Sequence, residues 1–129
     1  MVTWDDVARA CLALPDTTEQ PSHGGTRSWR VHDKSFVWER PLRKKDLAEL
    51  GAAAPPGAVL GAYVPNEGAK WALIAEEPDV YFTTAHFDGD PIVQCRLDAL
   101  DERSLTELVG EAWASRAPRR LVAGWLNDR

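Results

Sequence analysis

Cysteine is nearly absent from this 129-residue chain: Cys11 and Cys95 are the only two, they lie far apart, and neither belongs to a CxxC pair. That excludes a disulfide framework and a thiolate zinc site, and it fits two reduced, buried thiols. Histidine is scarce too, and His23, His32 and His86 do not fall at zinc-finger or zincin spacings. No stretch approaches the roughly 20 consecutive apolar residues that a membrane-spanning helix needs. The start, "MVTWDDVARA", is acidic and has no basic segment followed by an apolar run. No secretory signal is expected, and a cytoplasmic protein is. Internal repeats, low-complexity tracts and linkers are also missing, so residues 1–129 are expected to form one domain.

What is present is an apolar fraction of 44% and six tryptophans, enough to fill a real core. The net charge of −5 is unevenly spread. Residues 23–45 sum to +5 and residues 113–129 to +3, whereas residues 46–112 sum to −10. Two basic blocks in an acidic protein allow a phosphate-binding patch. They argue against a strong nucleic-acid binder, which is usually basic overall.

The opening "TWDDVARACLALP" reads as a helix capped by Thr3, with Trp4, Val7, Cys11 and Leu14 on one face and Pro15 as its stop. "DTTEQPSHGG" reads as a loop, and His23 beside two glycines is better taken as loop than as a phosphate cradle. "TRSWRVHDKSFVWERP" alternates like a hairpin. Pairing Val31 with Phe36 would set Trp29 against Trp38 and Arg27 against Arg40 on one side. A short helix is expected over residues 42–50 and a strand at "AVLGAYV". "EGAKWALIAEE" should be a helix with Trp71, Ile74 and Ala75 inward. "DVYFTTAHF" and "IVQCRL" read as strands around a "DGDP" turn. His86, Asp88 and Asp90 could bind a metal or exchange protons, but these are ordinary turn residues.

"DERSLTELVGEAWASRA" is the clearest helix, capped by Asp101 and burying Leu105, Leu108, Val109, Ala112 and Trp113. Pro118 then opens a last helix with Leu121, Val122, Trp125 and Leu126 as its apolar face. Its first residues, Arg119 and Arg120, sit where the helix dipole disfavours cations. Neighbouring acids could neutralise them, or an anion could. The element order predicts an α+β domain, an antiparallel sheet of about five strands with helices packed on it.

The order of motifs resembles the MmcQ/YjbR family of small bacterial proteins. The matching pieces are "CLALPDTTE", "HGGTRSWRVHDKSFVWERPL" and "VYFTTAHFDGDPIVQCRLDALDERSLTELVGEAWASRAPRRLV". An early "LP…TE", a central "HFDG.P" and a terminal "AP.RL" make the combination fairly specific. Trp29 and Trp38 depart from the pattern, which concerns packing more than function. The resemblance implies a frataxin- or secretion-chaperone-like fold and a DNA-binding role through a double-wing surface in which a curved sheet embraces double-stranded DNA. It brings no catalytic motif and no cofactor, so a binding protein rather than an enzyme is expected.

DNA contact would fall to Arg27, Arg30, Lys34, Arg40, Arg43, Lys44 and Lys45 of the hairpin region, with Arg119 and Arg120 of the last helix. No residues at major-groove spacing offer base readout, so weak and mainly non-specific binding is expected. The alternatives are a solvated basic face or a module for a protein or small-ligand partner, as a monomer or weak dimer. Exposed tryptophans would favour the module.

Overall fold

The computed structural model describes residues 1–128, apart from the side chain of His23, so the reading of that imidazole lies outside the described residues. In chain order the elements are α1 (Trp4–Leu12), β1 (Thr17–Pro21), β2 (Arg27–Val31), β3 (Lys34–Glu39), α2 (Lys44–Leu50), β4 (Val59–Tyr63), α3 (Glu67–Glu76), β5 (Tyr81–Phe82), β6 (Ile92–Arg96), α4 (Glu102–Arg116) and α5 (Arg119–Asn127). The strands form one antiparallel sheet in the order β1-β2-β3-β4-β6-β5. The α+β class holds, with six strands where about five were expected.

The additional strand is β1, which sequence composition assigned to a loop. Thr17 and Thr18 suit extended backbone, and Pro21 is tolerated because β1 is an edge strand and ends there. The hairpin register also differs from expectation. The turn is only His32–Asp33, with φ of 47° and 66°, as a two-residue hairpin turn requires. Val31 therefore pairs with Lys34, and a bulge between Trp29 and Arg30 brings Trp29 opposite Val37 and Ser28 opposite Trp38. Trp29 and Trp38 end on opposite faces. Arg27 and Arg40 do not meet.

One sheet face carries the core. Trp29, Val37, Leu60, Ala62, Val93 and Cys95 pack with Leu105, Leu108, Val109, Ala112 and Trp113 of α4. The predicted stripe of α4 is buried as read, and Asp101 caps it by accepting from Ser104 N at 2.7 Å. Thr3 caps α1, accepting from Asp6 N at 3.2 Å. Trp4 stacks on Trp29 with ring centroids 6.2 Å apart.

α3 is turned by about one residue from the expected orientation. Lys70 is fully buried, whereas Trp71 is 51% exposed and Ala75 also faces solvent. The cause is a polar demand. Lys70 Nζ donates to the carbonyl oxygens of Phe87 at 2.8 Å and Asp90 at 3.1 Å, which pins the "HFDGDP" segment. That segment is a 3₁₀ turn over Ala85–Phe87, so the strand expected from "DVYFTTAHF" shrinks to Tyr81–Phe82.

Candidate nucleic-acid interface

The basic block at residues 23–45 divides in space. Arg27 lies against acids: its guanidinium donates to Glu19 at 2.7 Å and to Asp5 at 3.0 Å, and it stands over the Trp29 ring. The Arg27 hydrogen bonds hold the Glu19 carboxyl below the usual carboxylate range. Arg40 is buried and donates to Asp46 at 3.0 Å. Burial alone would raise the Asp46 carboxyl. The Arg43 N–H, at 2.8 Å, and the Arg40 and Arg43 guanidiniums outweigh it and hold that carboxyl low. Arg27 and Arg40 therefore serve the fold.

Arg43 opens α2 and donates to His86 Nδ1 at 2.6 Å. The exposed Lys44 and Lys45 follow it. Glu49 on the same helix accepts from Ala85 N at 3.1 Å, which ties α2 to the 3₁₀ turn. These cations sit beyond the Glu39 end of β3, whereas the hairpin turn is at its Lys34 end.

A different group gathers at that turn. A groove of about 700 Å³ runs between the hairpin turn, the α1–β1 connection and α5, with His32, Asp16, Pro118, Arg120, Leu121 and Trp125 among its walls. His32 Nε2 and Asp16 Oδ2 are 2.9 Å apart across it. Trp125 rests on Trp113 at 5.0 Å, and Trp113 Nε1 donates to the carbonyl of Pro15 at 3.0 Å. Arg116, at the end of α4, donates from Nε to the carbonyl of Ser35 at 3.3 Å. Arg30 pairs with that same Ser35 across the ladder. Arg30, Lys34, Arg116 and Arg120 are thus tied to, or border, one end of the β2–β3 hairpin, whereas Arg119 lines a separate hollow with Ala114, Ala117 and Leu126.

α5 begins without a side-chain cap, because Pro118 offers none. Its last two predicted apolar positions differ in burial: Trp125 is half-buried, but Leu126 is 58% exposed. Among the described residues, Arg30, Lys34, Lys44, Lys45, Arg119 and Arg120 make no ion pair within 4.0 Å. The acids of the central segment do not neutralise Arg119 or Arg120.

The sheet face opposite the core carries a feature that sequence reasoning missed. Trp38 lies across β4 at Gly61, edge-on to Tyr63 at 5.7 Å and tilted against Phe87 at 6.3 Å. Arg116 stands 4.0 Å over the Tyr63 ring. The β-bulge between Trp29 and Arg30 creates this feature, since it moves Trp38 to the face opposite Trp29, and no local sequence pattern announces it.

The YjbR family model matches residues 12–115. The match ends before α5, so "APRRL" lies beyond it. Uncharacterised proteins of Mycobacterium tuberculosis and Mycobacterium bovis are 51% identical over 129 residues, covering 98% of this chain and 97% of theirs. The crystal structure of the Deinococcus radiodurans protein DR2400, with a DUF419 domain, superposes with a TM-score of 0.63 at 21% identity, covering 88% of this chain and 77% of that one. At that identity the likeness speaks for the fold alone. With residues 12–115 matched by the family model and near-full-length relatives at 51% identity, the chain belongs to the YjbR family.

Proposed function

We propose that this protein binds DNA weakly and without sequence preference, by phosphate contacts centred on the hairpin-turn end. The observation that supports this is the meeting of the two basic blocks there, with Arg30, Lys34 and Arg120 free of carboxylate partners among the described residues and Arg119 next to Arg120 in sequence. The uncapped start of α5 adds backbone N–H donors of the same sign, and together they suit an anion. Asp16 stands nearby, but it already faces His32. Lys44 and Lys45 supply a second, separate point of contact. Arg27 and Arg40 serve the fold, and the exposed Arg43 stands beside Lys44 and Lys45. No residue is assigned a catalytic step, and the role is one of binding.

Phosphate contact of this kind releases counterions, so affinity should fall steeply with salt. Fluorescence anisotropy of a labelled duplex should show binding at low salt that weakens by at least tenfold between about 50 and 200 mM. Absence of binding at low salt would reject the reading.

A second reading, a protein-binding module, is favoured by Trp71, which leaves half of its surface in solvent. A Trp71→Ser variant that keeps duplex binding but loses a copurifying partner would favour it.

A further inference from the structure

We infer that the open face of the sheet takes unpaired nucleic-acid bases, so that the protein prefers single strands to duplexes. This rests on the nucleic-acid reading above and extends it from phosphate to base. The helices α1 and α4 cover one face of β1–β3. On the other face Thr18 is exposed, and Gln20, Arg30, Ser35 and Trp38 are half-exposed. Ser28, between Gln20 and Trp38 on the same face, is buried, so the face is polar and partly accessible around one large aromatic ring.

That ring is held in place. Gly61 leaves the space in which one side of the Trp38 indole lies on the β4 backbone. Tyr63 and Phe87 brace its edges. A fixed, half-exposed indole gives up little rotamer freedom when a base stacks on it, and stacking is tolerant of base identity. Cations stand on its hairpin-turn side. Arg116 lies over Tyr63, and Arg30, two positions along β2 from Ser28, faces outward like Trp38. Among the described residues Arg30 has no carboxylate within 4.0 Å, so its positive charge is left for a ligand oxygen at this face. An open sheet face that presents an aromatic ring beside guanidinium groups is the arrangement by which proteins hold splayed, single-stranded bases. A continuous duplex hides its bases from such a platform.

Three labelled probes of equal length test this: a mixed-sequence single strand, its duplex, and a single strand of abasic residues. The base-bearing strand should bind about tenfold more tightly than the abasic one. It should also bind more tightly than the duplex at equal salt. Trp38→Leu should bring the base-bearing strand down to the abasic level while leaving its salt dependence unchanged. Equal affinity for base-bearing and abasic strands in the unaltered protein overturns the inference even if Trp38→Leu does not fold, and leaves the phosphate reading standing. Tighter binding of the duplex overturns it likewise. No salt-dependent binding of any probe overturns both readings.

Discussion

A β-carbon added to Gly61 would stand 2.5 Å from Cε2 of Trp38, so the indole occupies the space that any other residue at position 61 would need. The neighbour is a rigid ring braced by Tyr63 and Phe87, and it cannot give way cheaply. Gly61→Ala should cost about 1–3 kcal/mol by overpacking. Urea unfolding measures the loss. A variant as stable as the parent would mean that Trp38 is loosely held.

Asp46 joins β3 to α2. It is 2% exposed and accepts from the Arg40 guanidinium and the Arg43 N–H. Its removal leaves the buried Arg40 without a carboxylate. Breaking a buried pair on one side costs about 3–5 kcal/mol. Asp46→Ala should therefore lose roughly that much in urea unfolding, whereas Lys44→Ala at the surface should stay within about 0.5 kcal/mol.

The lowered carboxyl groups fix the sign of acid sensitivity. Glu19, held low by Arg27, and Asp46, held low by the Arg43 N–H and two guanidiniums, are lowered by folding, as is Asp101 by the Ser104 N–H. Such groups stabilise the fold above their unfolded values of about 4. That stability is lost as pH falls through their lower folded values. Thermal unfolding should show little change from about pH 7 to 5 and a progressive loss below about 4. At the alkaline end, burial pushes the Cys95 thiol up to about 12 from 9.0. The unfolded chain releases that proton first, so stability should fall as pH rises above about 9. A fold that gains stability between pH 5 and 3 would contradict the assignment of the carboxylates.

Lys70 is a test of the "HFDGDP" segment. Lys70→Met keeps most of the buried stem but leaves the Phe87 and Asp90 carbonyls without this donor. A cost of about 1–3 kcal/mol is expected. Amide hydrogen exchange should quicken in residues 85–90 before it does in α4.

The amphipathic elements were legible in the sequence. In α4 the 3.6-residue spacing, the Asp101 cap and the terminal Arg116 agree with one another, and each is realised. Elements set by tertiary demands were not. β1 exists because β2 offers it a ladder, which no local pattern in "TTEQP" announces. α3 turns because two carbonyls of the following segment need the Lys70 ammonium, and the apolar Trp71 gives way to it. The hairpin failed on two counts, the length of its turn and the bulge between Trp29 and Arg30. His32 and Asp33 both adopt positive φ, which neither β-branched nor apolar neighbours reveal. The shorter turn shifts the register by two residues and keeps the faces, and the one-residue bulge then moves Trp38 to the face opposite Trp29. Basic blocks were visible as composition. Their partners, Glu19 for Arg27 and Asp46 for Arg40, became visible only when the chain was folded.

The slope of log affinity against log salt for a labelled duplex tests the central claim most directly, measured for the unaltered protein and for Arg119→Ala/Arg120→Ala. Phosphate contacts by Arg30, Lys34, Arg119 and Arg120, with Lys44 and Lys45 at the second point, predict a slope of about −5, and loss of two arginines should make it shallower by about 2. A slope unchanged by the double substitution, or no salt-dependent binding at all, would contradict the account.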